Sequence, residues 1–368
     1  MHPVQSVRPA RRLISGLVAI ALSIGGLLAT STTASATGTG LSWTAAPQTT
    51  TTSMTPSGLA ISGDGSTQYQ YVTGTTTAVY SNHTGSWVSG SLPGASMSSM
   101  LIGMAADQTG QHVFLALSGM GGNSSLYYSS NYGVSYSALS AFSGTGKSAS
   151  NVAISADGKF LGMAVTFNDA QAQQSSLSFY VSGDNGATWT SYSPAGISPM
   201  YGNSIAITAA DYSATGSVAV YFTYRNGGGS TVLSRHIYSS SDSVASGDTY
   251  TTMTLTEPNA HAGRFYFSPD GTRSYGVGSG GQSYNEFLLE KASVGTSSTL
   301  TFTDATSRFD GNALMNNSNF VNSVFVPNSD SIYLISSISS APYTNTLYVS
   351  TDQADTFVSK SGSASNAG

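Results

Sequence analysis

The chain has no cysteine in its 368 residues. A disulfide framework, a thiolate nucleophile and a lipid-modified cysteine behind a leader are all excluded. Charge is nearly as scarce. Asp, Glu, Lys and Arg make up 8% of the sequence, with 12 basic and 17 acidic residues. That balance excludes the positive footprint that nucleic acid or an anionic membrane surface requires. Apart from His2, the histidines are His83, His112, His236 and His261, and none has metal-ligand spacing. No G-x-S-x-G elbow occurs. The Gly-rich stretch 224–231, YRNGGGST, lacks the lysine of a phosphate loop and a following helix, so it reads as a hairpin loop. No cofactor or bound metal is expected. One alternative is kept: NALMNNSN, 312–319, offers amide oxygens to a Ca²⁺ beside Asp310.

Low charge is not disorder here, because 39% of residues are apolar and Tyr and Phe number 21 and 14. The surface must be built from Ser, Thr, Asn, Gln and Gly. Such a composition suits a neutral, hydroxyl-rich secreted β protein. The one long apolar run, 13–28, is too short and too interrupted by Gly and Ser to span a membrane comfortably. It follows Arg8, Arg11 and Arg12 and precedes an A-x-A site at 34–36, so 1–36 is expected to be a signal peptide. The Arg11-Arg12 pair leaves both the general secretory and the twin-arginine routes open. Removal of the leader leaves nine basic residues against 17 acidic ones, a net charge of about −8. The expectation is a secreted, extracellular monomer with no membrane contact after cleavage.

What the sequence does have is repetition. SNVAISADGKFLGMAVTF, 150–167, reads as strand, tight turn at Asp157-Gly158, and strand. Five relatives start at Ser57, Met100, Asn203, Gly263 and Asn322. A third and a fourth strand follow each, as in SLSFYVSGD and ATWTSY. Aligned on Asp64, Asp107, Asp157, Asp211 and Asp270, the turns recur roughly every 40–60 residues. Four strands in such a period make a propeller blade. The expected fold is all-β: six four-stranded antiparallel blades at about 57–92, 97–140, 148–194, 202–254, 262–304 and 320–360. A Thr-rich leader, 37–56, precedes them, and a tail, 361–368, follows. Within the leader, LSWTAAP at 41–47 looks like a fourth strand and is expected to close the ring on the last blade, in competition with DTFVSK. The alternative is a seven-bladed ring.

One turn carries a motif. SGDNGATW, 182–189, has Ser182, Asp184, Gly186, Thr188 and Trp189 at the spacing S-x-D-x-G-x-T-W. This resembles the Asp-box, or BNR repeat, of sialidase-like β-propellers. Degenerate copies are SSNYGVSY at 129–136 and STDQADTF at 350–357. In that family the motif is structural and lies away from the active site. Asp184, Asp352, Asp64, Asp157 and Asp270 are therefore expected to be turn-formers.

Strand direction then sorts the loops. The first and third turns of every blade share one rim, the lower. Second turns and inter-blade links form the upper. The scarce charges gather above: Arg225, Arg264 and Arg308, with Glu257, Glu286, Asp310 and Asp169, beside Tyr224, Tyr284, Tyr343 and His261. The resemblance implies what a sialidase would need there: three arginines to clamp a carboxylate, a tyrosine nucleophile primed by Glu, and an Asp acid/base. The sequence departs from it. No arginine lies between the leader and Arg225, and no F/Y-R-I-P motif precedes the first turn. The expectation is thus a non-catalytic binding or adhesion module. Its partner is glycan or another cell-wall polymer, held by Arg225, Arg264, Arg308, Tyr224, Tyr284 and Tyr343. The alternative is a glycan-cleaving enzyme using Glu257, Glu286 or Asp310, which requires a carboxylate pair across the ring mouth.

Overall fold

The computed structural model describes residues 55–73, 77–95, 99–118, 124–139, 147–169, 174–194, 197–198, 203–209, 216–239, 242–256, 262–280, 286–295, 297–305, 319–328, 330–338 and 345–360. Alternating apolar runs and glycine turns give strands throughout, and no helix occurs among the described residues. The protein is a six-bladed β-propeller of four-stranded antiparallel blades. The first blade consists of Thr55–Ile61, Gln68–Thr73, Ala78–Ser81 and Val88–Gly90, paired in that order from the axis outward. The innermost strands of the others are Met100–Ala106, Lys147–Ile154, Ser204–Ala209, Ala262–Phe267 and Asn319–Phe325.

The second strand of each blade explains why the pattern is a continuous apolar run. Val113–Ser118 and Val218–Asn226 are buried on both faces over most of their length, because each blade is sandwiched between two neighbours. The core is accordingly divided among the interfaces. Tyr69, Tyr71, Leu115 and Tyr127 pack between the first two blades. Phe114, Leu126, Met163 and Val165 follow. Phe179, Phe222, Tyr224 and Tyr250 come next, with the Phe179 and Phe222 rings stacked at 4.3 Å. Tyr221, Leu233, Phe265 and Leu300 join blades four and five. Tyr275, Leu289, Leu334 and Phe357 join five and six. Ile61 against Tyr333, Leu347 and Val349 joins the sixth blade to the first and completes the circle.

The segment 41–47 lies outside the described residues. The outer position of the sixth blade, for which it was expected to compete, is held by Val358–Lys360, paired to Asn345–Ser350. Blade one likewise has its own fourth strand, so each of the two blades is built from contiguous sequence, unlike the seven-bladed alternative.

The lower-rim turns hold neighbouring blades together. Ser62 N donates to Thr67 O, Ser155 N to Phe160 O and Ser268 N to Arg273 O, at 2.9–3.0 Å. Each serine hydroxyl also donates to the aspartate two residues on, at 2.7, 2.5 and 2.6 Å for Asp64, Asp157 and Asp270. The fourth residue of each turn is glycine at positive φ, 71° at Gly271. A Cβ there would meet the Ala209 carbonyl of the preceding blade, so only glycine fits.

Two elements differ from the sequence reading. Asp107 N bonds His112 O at 3.0 Å, which puts Asp107 at the serine position and Thr109 at the aspartate position. The repeat alignment at this turn is therefore off by two residues. A carboxylate accepts where serine would donate, and His112 Nδ1 meets it at 2.6 Å. The second difference is in the link after blade four. Thr254–Thr256 forms a parallel pair with Thr299–Thr301 of blade five, a strap across the outside of that interface.

Candidate functional site

Three places could carry function: the lower-rim turns, the upper mouth and the axial channel. At the turn 182–189 the carboxylate of Asp184 is fully engaged. Ser182 Oγ donates to Oδ1 at 2.7 Å, Thr188 N to Oδ1 at 2.8 Å and Thr188 Oγ1 to Oδ2 at 2.6 Å. Gly186 N donates to Ser182 Oγ at 2.8 Å, and Trp189 Nε1 to Gly186 O at 3.0 Å. Asn185 and Gly186 take φ of 58° and 86°, which explains the Asn-Gly pair. The turn around Asp352 repeats this, with Ser350 and Thr356 as donors at 2.7 and 2.5 Å. For both acids, burial pushes the pKa up. Hydrogen bonds from Thr188 or Thr356, side chain and backbone, outweigh it and hold each below the usual carboxylate range. Acids so tied are turn-formers. In blade two, Asn131 does the same work: Oδ1 accepts from Ser129 Oγ at 2.9 Å, and Nδ2 donates to Ser135 Oγ at 2.9 Å.

The upper mouth is described in part. Arg264 stands exposed near the upper end of the innermost strand of blade five, Ala262–Phe267. It has no hydrogen-bond or ion-pair partner among the described residues. Arg225, near the upper end of Val218–Asn226, is half-buried, and its Nε is enclosed without a described partner. Tyr224 beside it is buried, its hydroxyl 3.5 Å from Ser234 Oγ and its ring packed toward Phe179. It is placed in the core between blades. The hairpin loop after Arg225 is present, with Asn226 Oδ1 accepting from Gly228 N and Ser230 N at 3.1 and 3.0 Å. Glu286 opens the strand Glu286–Ser293, with its side chain outside the described set. Arg308, Tyr284, Tyr343, Glu257, Asp310, and the amides of 312–318, lie outside the described residues.

The axial channel holds a cavity of about 240 Å³, lined from Ser204 and Asn151 on the innermost strands down to the first turns. Innermost strands and first turns of all six blades line it, including Asn151, Ser204, Tyr266, Asp107 and Gln108. Asp107 is the one carboxylate of the lining, and it is buried against His112. Among the described residues no second acid lines it. Among the described residues no cluster of three His, Asp or Glu could hold a metal. The sequence reading passed over Asn151, Ser204 and Tyr266. Their signal is faint: on the aligned innermost strands, a polar or small residue recurs every second position.

No protein-family model matches the chain, and no curated protein matches it significantly. Solved structures of similar shape exist. Prolyl oligopeptidase B from Galerina marginata has a TM-score of 0.49 at 12% identity, over 83% of this chain and 44% of that one. An ancestral GH74 enzyme has a TM-score of 0.46 at 13% identity, over 80% of this chain and 36% of that one. A PL25 ulvan lyase has a TM-score of 0.41 at 12% identity, over 80% of each chain. The chain spans less than half the length of the first two. These are likenesses of shape alone; the class is defined by the blades themselves, and it is the β-propeller.

Proposed function

We propose that this protein is a secreted, non-catalytic binding module whose upper mouth captures an acidic or polar glycan of a cell wall or matrix. In this reading the turns at 129–136, 182–189 and 350–357 are Asp-boxes of the sialidase-like kind, and 1–36 is a cleaved leader. The observation that carries it is the pairing of charges. Among the described residues, the acids of the turns and channel are tied to neighbours, while Arg225 Nε and Arg264 meet none of them. Among the described residues the mouth presents guanidinium groups with no carboxylate paired to them, an arrangement that attracts anions. The test combines a glycan array with fluorogenic glycosides. Binding without turnover is expected. Arg264→Ala should weaken capture about 10-fold, the worth of one charge-assisted hydrogen bond. Hydrolysis by the parent that Glu286→Gln abolishes would overturn the proposal in favour of the glycan-cleaving alternative.

A further inference from the structure

We propose a second site, on the axis of the ring: the channel cavity binds one neutral polyol, a single sugar residue in size. Neither Arg225 nor Arg264 lines it, and it stands without the reading of the mouth.

Four blades contribute polar groups to the cavity. Ser204, on the innermost strand of blade four, is 8% exposed, and its hydroxyl is enclosed with no hydrogen-bond partner among the described residues. A buried hydroxyl left so costs about 1–3 kcal/mol, which a bound hydroxyl would recover. Asn151, from blade three, uses Oδ1 to accept from Ile205 N at 3.1 Å. That bond fixes the amide and leaves Nδ2 as a donor with no described partner. Tyr266 of blade five and Gln108 of blade two also line the space, and neither side chain has a described hydrogen bond. Apolar residues complete the lining, among them Ala206, Phe265 and Val326. Hydrogen-bonding groups beside apolar surface suit a pyranose, which carries hydroxyls and C–H faces together.

Charge and size narrow the class. Among the described residues no Lys or Arg lines the cavity, and Asp107 is already 2.6 Å from His112 Nδ1. An anion would face a carboxylate and meet no cation, and a cation would find the one carboxylate engaged. A neutral ligand is left. At about 240 Å³ the space is smaller than the roughly 300–1,000 Å³ of sites for drug-sized ligands. It takes one ring rather than a chain.

The test titrates the full chain, by calorimetry and by NMR, with D-glucose, D-galactose, N-acetyl-D-glucosamine, L-rhamnose and myo-inositol, each to about ten times a millimolar Kd. One of these should saturate. Ser204→Ala and Tyr266→Phe each remove one hydroxyl and should weaken that binding about 3- to 10-fold. Ala206→Leu should fill the cavity and abolish it, with circular dichroism confirming the fold. Arg264→Ala should lower polymer capture and leave the small probe untouched, so the two sites fail separately. The proposal is overturned if none of the five saturates, or if binding is unchanged in both Ser204→Ala and Tyr266→Phe.

Discussion

Replacing Asp184 tests how the third turns hold the blades. In Asp184→Ala, Thr188 N and Oγ1 lose their acceptor but face water, which replaces most of what they lose. Ser182 is different, because it is fully buried and its hydroxyl hydrogen points at Asp184 Oδ1. An orphaned buried donor costs about 1–3 kcal/mol, so the whole change should come to about 2 kcal/mol. In a domain of this length that lowers the melting temperature by about 4 °C. Asp184→Asn should cost less than about 1 kcal/mol, because Asn131 already shows the amide satisfying the same donors, with Nδ2 donating to Ser135 Oγ. The two substitutions also differ with pH. Asp184 has a folded pKa held below its ordinary value. Its contribution is therefore full above the carboxylate range and is lost as the pH falls through the folded pKa. Asparagine does not titrate, so the melting gap between parent and Asp184→Asn should narrow on acidification. Calorimetry of the three proteins from neutral to acidic pH makes the measurement. If Asp184→Ala melts with the parent at neutral pH, or Asp184→Asn is as costly as the alanine, the hydrogen-bond account of the turn is wrong.

Two further changes probe the interfaces. Tyr136 is buried between blades one and two, and its hydroxyl has no described partner, while burial raises its pKa far above the usual phenol range. Tyr136→Phe should leave stability unchanged or raise it by up to about 1 kcal/mol, and a clear drop in melting temperature would reveal a partner for that hydroxyl. Ile61 packs on Tyr333, Leu347 and Val349 where the ring closes. Ile61→Ala should cost about 1–3 kcal/mol, less than a fully buried isoleucine because Ile61 is partly exposed, and an unchanged denaturant midpoint would show that the sixth blade does not lean on the first.

The turns were the most legible part of the sequence wherever a glycine at positive φ stands beside an Asp or Asn that can bond its own backbone. Asp157-Gly158 and 182–189 are of this kind. The slip at Asp107 shows the limit: aligning acids by identity ignores whether the position donates or accepts, and only the bond from Asp107 N to His112 O sets the register. The strap at Thr254–Thr256 was read as a link because its partner, Thr299–Thr301, lies far along the chain and local pattern carries no trace of it. Tyr224 was placed on the upper rim by strand direction, yet it is buried. Second strands are covered on both faces, so alternation, the cue that separates inward from outward residues, is missing there. The channel groups were hidden for the opposite reason. Asn151 and Ser204 look like ordinary surface polar residues until the ring brings them to a common axis.

The second residue of the first turn is Gln108 in blade two, Ala156 in blade three and Pro269 in blade five. These residues share no side-chain chemistry, yet they do one job. Asp64 N donates to Gln108 O, Gln108 N to Ala156 O and Ala209 N to Pro269 O, at 2.8–3.0 Å. What passes from blade to blade here is main chain, and proline serves because its carbonyl is used and its missing N–H is not. A new side chain at Gln108 or Ala156 would therefore leave the stitching between blades in place and change the lining of the axial cavity instead. The seam and the lining are written in different parts of the same residue, so the one can be edited without unpicking the other.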